Sequence, residues 1–148
     1  MTVEISPLTA ADHDDWLPLW AGYLEYYRET LSDEQTELTF SRFLDPEVMM
    51  WGAIARDETG RALGIVHWLR HSSTWSIDGH VYLEDLFVAP DARGAGVGRA
   101  LITEVTEWAR VRRLYKVYWH TENTNATARL LYDKLGKQEY VVYEVDLD

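Results

Sequence analysis

The sequence contains no cysteine, only four prolines, and 14 lysines and arginines against 25 aspartates and glutamates. Without cysteine there is no disulfide framework, no thiolate metal site and no cysteine nucleophile. No apolar run approaches the roughly 18–20 residues that a membrane-spanning helix needs. The opening Met1-Thr2-Val3-Glu4 carries an acidic residue where a secretory leader has basic ones. Basic charge is scarcest in the first third. Residues 1–50 hold eleven acidic residues against Arg28 and Arg42 alone, whereas residues 99–148 carry eight of each sign. An acidic face repels phosphate backbones, which makes nucleic acid a poor partner, and it attracts cations. It also keeps the chain soluble. These absences describe a soluble, cytoplasmic protein that neither spans a membrane nor binds nucleic acid.

What is present is a large apolar fraction, 47% of residues, with seven Trp, nine Tyr and three Phe. A chain of 148 residues with that content builds one core, so a single domain over 1–148 is expected. Val3-Glu4-Ile5 reads as a short strand. Thr9 and Asp12 have capping-box spacing ahead of a helix marked by Trp16, Leu19, Trp20, Tyr23, Leu24 and Tyr27. Ser32 and Gln35 repeat the box before a second helix with Leu38, Phe40 and Phe43, which stops short of Pro46. Strands are expected over 49–55 and 62–69 around the Asp57–Gly60 turn, with 71–79 as polar loop and 81–89 as a buried strand. A helix with Leu101, Val105, Trp108 and Val111 follows. Next come a strand over 115–120, a helix over 124–135 closed by Gly136 as a left-handed cap, and a last strand over 140–147. The order β-α-α-β-β-β-α-β-α-β describes an α/β fold, a mixed sheet flanked by helices.

The buried strand runs into Arg93-Gly94-Ala95-Gly96-Val97-Gly98 and then a helix. A strand, a glycine turn and a helix N-terminus aim free backbone N–H groups and the positive helix end at one point, which suits a phosphate. Arg93 and Arg99 can add charge-assisted hydrogen bonds. Neither common nucleotide motif fits. A Walker A needs Lys-Ser/Thr after its last glycine, where this chain has Arg99-Ala100, and the dinucleotide fingerprint spaces its glycines differently from 94, 96 and 98.

This stretch resembles the acyl-CoA signature of the GNAT N-acetyltransferases, Arg/Gln-x-x-Gly-x-Gly/Ala, here Arg93, Gly96 and Gly98. A second element of that family, Asn-x-x-Ala-x-x-x-Tyr followed by Leu-Gly, is similar to Asn125, Ala128, Tyr132, Leu135 and Gly136, although Lys137 replaces the usual Phe. Tyr82-Leu83-Glu84-Asp85 is similar to the diamine and polyamine acetyltransferases. The resemblance implies a GNAT-like, mostly antiparallel central sheet. It also implies acetyl transfer from acetyl-CoA to an amine, with no metal, and the acceptor is expected to be a small cationic amine. Two alternatives stay open: a protein lysine or N-terminal amine as acceptor, and a non-catalytic CoA-binding sensor.

The resemblance also implies residue roles. Backbone N–H groups near Phe87 and Val88 would hold the thioester carbonyl at a splay in the sheet. Arg93, Gly94, Ala95, Gly96, Val97, Gly98 and Arg99 would bind the pyrophosphate, and Asn125 would hydrogen-bond CoA. Tyr132 would protonate the departing thiolate. With no cysteine available for an acyl-enzyme, direct attack by the amine is favoured. A primary alkylamine has a pKa near 10.4 and needs a base. Glu84 is the candidate, directly or through water. Strand alternation turns Glu84 and Asp85 to opposite faces, so at most one of them serves the site directly. Trp20, Tyr23 and Tyr27, with Asp85, are the expected acceptor-binding residues, since aromatic faces beside carboxylates suit an ammonium. His13, His67, His71, His80 and His120 have no metal-ligand spacing. The apolar last strand, if it lies at a sheet edge, favours a homodimer.

Overall fold

The computed structural model describes residues 1–147. Its elements are β1 (Glu4–Pro7), α1 (His13–Tyr26), α2 (Asp33–Leu44), β2 (Met50–Arg56), β3 (Ala62–Ser73), β4 (Ser76–Val88), α3 (Val97–Val111), β5 (Val117–Tyr118) and α4 (Ala126–Leu135), with 3₁₀ turns at Ala10–Asp12 and Pro90–Ala92. The strands form one five-stranded sheet in the order β1-β2-β3-β4-β5. The first four pair antiparallel and β5 joins β4 in parallel, giving the mixed, mostly antiparallel sheet expected.

Local chemistry explains the helix starts. Ser32 Oγ accepts from the Gln35 N–H at 3.1 Å and caps α2. At Thr9 the backbone N–H donates to Asp12 Oδ2 at 2.8 Å, and the segment makes one 3₁₀ turn before α1 begins at His13. The Asp57–Gly60 turn is held by Asp57 Oδ1, which accepts from the Thr59 N–H at 2.9 Å and the Arg61 N–H at 3.1 Å.

Residues alternate along each strand and therefore feed two cores. On one face Trp16, Leu19 and Trp20 of α1 and Phe40 and Phe43 of α2 pack on Ile54, Ile65 and Phe87. On the other, Leu101, Ile102, Val105 and Ala109 of α3 pack on Ala53, Ala55, Leu63, Val66, Trp68, Val81 and Leu83. Leu131, Tyr132 and Leu135 of α4 lean on this second core without full burial. Removing a large aromatic such as Trp16 from such a core costs about 3–5 kcal/mol.

The structure departs from the sequence reading in four places. The 71–79 stretch is a hairpin rather than a polar loop. β3 runs on to Ser73 and β4 begins at Ser76, because polar residues satisfy a ladder through their backbone as well as apolar ones do. β5 shortens to two residues, since β4 offers it partners only at Val81 and Tyr82. Gly136 is extended, with φ −146°, so α4 ends without a left-handed residue. The expected sixth strand is absent. Residues 136–147 form no strand, and Tyr140, Val141, Val142, Tyr143, Val145 and Leu147 are exposed. Strand propensity is realised only against a neighbouring ladder, and this chain lays none beside that segment. No helix among the described residues is long and apolar enough to cross a membrane.

Candidate active site between the parted strands

The site is created by β4 and β5 separating. Their pairing is confined to Val81 with Val117 and Tyr82 with Tyr118, after which the two strands part. A pocket opens in the gap, lined by Tyr23 and Tyr27 from α1, Leu83, Glu84 and Leu86 from β4, Ile102 from α3, Trp119 and His120 after β5, and Tyr132 from α4. The splay implied by the resemblance is therefore present. From Leu83 to Val88 the β4 backbone has no partner in β5.

β4 also carries a bulge at this point. His67 pairs with Asp85 and Trp68 with Leu83, so Glu84 is an extra residue with no partner in β3. The bulge breaks the strand alternation. The expectation that Glu84 and Asp85 face opposite ways is thereby corrected: Asp85 meets His67 on the face that packs against α1, and Glu84 shares a pocket with Tyr23 and Tyr27 of that helix. Glu84 lines the pocket. Partial desolvation, and secondarily the charge of Asp85, push its carboxyl above the ordinary range. Asp85 lies behind the lining with its side chain only 14% exposed, and its Oδ2 accepts from His67 Nδ1 at 2.9 Å.

The three tyrosines around the pocket hold their protons firmly. Burial raises Tyr23 first, with Asp85 adding to it, and carries its ionisation far above the ordinary phenol value. Burial raises Tyr27 and Tyr132 as well, with neighbouring Tyr26 contributing to both. Each is thus a neutral hydroxyl able to donate. Tyr132 is steered by an edge-on contact with Trp119, with ring centroids 5.6 Å apart. Of the expected acceptor-side aromatics, Tyr23 and Tyr27 reach the pocket. Trp20 does not: it is buried at 6% exposure, stacked between Trp16 and Tyr23 in the core.

The glycine turn lies at the C-terminal end of β4. Gly94 and Gly96 adopt φ +82° and +84°, a region closed to most side chains. Gly96 is the N-cap of α3 and supplies no capping side chain. The first N–H groups of α3 are left without acceptors, a ready anion cradle. At Gly98 an added Cβ would meet only Val88 Cγ2 at 3.8 Å and Leu131 Cδ2 at 3.9 Å, so packing does not demand a glycine there. Arg93 donates from Nε to the Val88 carbonyl at 3.1 Å and lies 5.5 Å from the centre of the Phe87 ring. Phe87 itself is buried against α1. Asn125 is the N-cap of α4, its Oδ1 accepting from the Ala128 N–H at 3.4 Å, which leaves its amide N–H₂ free to donate. Ala95, Val97 and Arg99 complete the turn and the first turn of α3, with the Val97 side chain buried. Among the described residues no cluster of three or more His, Asp or Glu has metal-binding geometry.

Sequence reasoning missed Trp119, His120, Leu83, Leu86 and Ile102 as lining residues. All are ordinary strand, loop or helix residues in the sequence, and only the parting of two strands makes them neighbours. It also missed His67, whose one visible signal is a lone ionisable residue inside the apolar run Leu63–Trp68.

Comparison with known proteins agrees with this geometry. The family described as "Acetyltransferase (GNAT) family" matches residues 16–137. The D-amino-acid N-acetyltransferase HPA3 of Saccharomyces cerevisiae is 38% identical over 144 residues, covering 96% of this chain and 89% of that protein. A mycothiol acetyltransferase of Clavibacter michiganensis subsp. michiganensis is 31% identical over 93% of this chain, which spans only 43% of that longer protein. Among solved structures, the aminoglycoside N-acetyltransferase AAC(6')-Iy in complex with CoA superposes with a TM-score of 0.82 at 21% identity, covering 98% of this chain and 95% of that one, a likeness of fold. The parted strands, the glycine turn and these matches together make the chain a member of the GNAT family of N-acetyltransferases.

Proposed function

We propose that the protein transfers the acetyl group of acetyl-CoA to a small primary amine bound between Glu84, Tyr23 and Tyr27. The observation that carries this reading is the meeting, in one gap, of a carboxylate with raised proton affinity and a neutral phenol. The cradle at Gly94–Arg99 fits a pyrophosphate, because its N–H groups are unclaimed and its glycines leave the approach open. Bound there, acetyl-CoA supplies an activated thioester. Arg93, Arg99 and the N–H groups of α3 hold its phosphates, and Asn125 adds a donor from α4.

An incoming amine arrives as an ammonium, which the acidic wall and the tyrosine faces attract. Glu84 accepts its proton, directly or through water, and frees the lone pair. The nitrogen forms a bond to the carbonyl carbon as the carbon–sulfur bond breaks, and its second surplus proton passes to solvent. On the β4 edge that β5 leaves unpaired, the Val88 N–H steadies the oxygen. Tyr132 gives its proton to the sulfur and regains one from solvent. A buried phenol is a weaker acid than a thiol, so this last step assists only modestly.

Two classes of amine fit the pocket. The paired carboxylates favour a diamine or polyamine, which has no negative charge to repel. The likeness to HPA3 favours a free amino acid, whose carboxylate would need His120 or the tyrosine hydroxyls as donors. A CoA-release assay against diamines, polyamines, D- and L-amino acids and basic peptides separates them. Turnover on a free small amine supports the reading. Turnover on peptides alone moves the acceptor to a protein, and acetyl-CoA binding with no turnover leaves a sensor. Tyr132→Phe is expected to lower kcat about tenfold with CoA affinity unchanged.

Glu84 must be unprotonated to act. The kcat/KM of the wild type therefore falls as the pH drops through its raised pKa, at a higher pH than an ordinary carboxylate allows. Glu84→Gln should lose about a hundredfold in kcat/KM and abolish this acid limb. An unchanged limb would assign the base elsewhere.

Gly98→Ala gives a complementary test of the cradle. The added methyl has room in the protein alone and favours the helix, so thermal stability should hold or rise slightly. The same methyl obstructs a phosphate approaching the first turn of α3, so CoA affinity measured calorimetrically should fall about tenfold or more. A variant that binds CoA as well as the wild type would contradict this placement.

The exposed, apolar Tyr140–Leu147 segment, which joins no strand of its own chain, supports a homodimer in which the segment pairs with a second copy. A dimer is expected in sedimentation at micromolar concentration. A monomeric profile would refute it.

A further inference from the structure

Behind the pocket runs a chain of buried polar groups that the acetyl-transfer chemistry does not itself use. Trp16 Nε1 donates to His67 Nε2 at 2.9 Å, with Trp16 fully buried and His67 at 1% exposure. His67 Nδ1 lies 2.9 Å from Asp85 Oδ2. Tyr23, which lines the pocket, lies near enough to the same carboxylate for its charge to help hold the phenol proton. His67 is caged by aromatic rings, with the Phe43 centroid at 4.4 Å and that of Trp20 at 5.4 Å, so it cannot swing to another partner.

The indole N–H decides the state of this chain. An indole nitrogen only donates, so the His67 nitrogen facing it must be an acceptor. The ring is then neutral and carries its proton on Nδ1, which donates to Asp85. A doubly protonated imidazole would set two N–H groups against each other inside an apolar core. Asp85 in turn receives one fixed donor from behind, at 2.9 Å, and this holds its carboxylate beside Tyr23 and Glu84. Two adjacent carboxylates repel each other, so without such a donor one of them would turn outward or take up a proton.

We propose that Trp16 and His67 are positioning residues that lock Asp85, and through it the Tyr23 hydroxyl, into the acceptor wall of the active site. The proposal rests on the acceptor occupying the Glu84–Tyr23–Tyr27 side of the pocket. It assigns a role in acceptor recognition to two core residues that touch neither substrate.

The direct test reads the tautomer. Long-range ¹⁵N–¹H correlation spectra of the wild-type protein should show His67 protonated on Nδ1 and bare on Nε2. An Nε2–H or doubly protonated ring would overturn the proposal, whatever the enzyme acetylates. The kinetic test uses His67→Leu, which removes the donor, and His67→Asn, whose amide N–H₂ can stand near the Nδ1 position. His67→Leu should lose about tenfold or more in kcat/KM for the acceptor, the loss expected when a buried carboxylate is left short of its donor, with the KM for acetyl-CoA unchanged. His67→Asn should recover most of that loss at a similar melting temperature. Equal losses in the two variants, or a KM for acetyl-CoA that moves in step, would reduce His67 to a packing residue. Trp16→Phe keeps an aromatic ring in the core but deletes the indole donor together with the pyrrole half of the ring system. It should yield a mixture of His67 tautomers and an intermediate loss, and an unchanged tautomer would overturn the role given to Trp16. A wild type that acetylates no amine would sink the acceptor reading while leaving the tautomer measurement to decide the relay.

Discussion

β4 is paired to β3 along nearly its whole length but to β5 at only two positions, and that asymmetry shapes everything around the site. A sheet that stayed zipped would bury the β4 edge in hydrogen bonds and leave no room for a ligand. Because β5 departs after Tyr118, the backbone from Leu83 to Val88 faces a gap, and α4 can bring Tyr132 to its far side. Ile102 of α3 also lines the gap, and that helix starts uncapped at the glycine turn. One interruption in a ladder thus brings an unpaired strand edge, a carboxylate and a buried phenol to one gap.

The bulge at Glu84 is the second half of the same design. An extra residue in β4 turns two neighbouring carboxylates toward α1, where regular alternation would separate them. Partial burial raises the proton affinity of Glu84, and the charge of neighbouring Asp85 adds to it. The aromatic side of α1 completes the arrangement. Trp16 and Trp20 are buried as core, while Tyr23 and Tyr27, one and two turns further along, reach the pocket. One helix therefore supplies both the packing that fixes it on the sheet and one wall of the pocket.

Much of this was legible in the sequence where local rules govern. Ser32 and Gln35 marked a helix start, Asp57–Gly60 marked a turn, and the Gly94–Gly98 stretch marked a strand-to-helix cradle, because each is decided within a few residues. What stayed hidden depends on pairing across the chain. The bulge at Glu84 exists only relative to β3, so strand alternation alone wrongly set Glu84 and Asp85 on opposite faces. Trp20 and Tyr23 have the same helical signature, and only the tilt of α1 on the sheet separates core from wall. The Tyr140–Leu147 segment has a strand's composition and no ladder beside it, which no composition can reveal.

The central claim is that the CoA pyrophosphate sits on the start of α3 while its sulfur end enters the gap between β4 and β5. Titrating CoA into ¹⁵N-labelled protein and following the backbone amides tests this most directly. The expected result is that the largest shifts fall on Gly94–Arg99, with a second group at Phe87 and Val88 and a third near Asn125. Shifts concentrated on α2 and the β1–β2 side of the sheet, or none at saturating CoA, would contradict it.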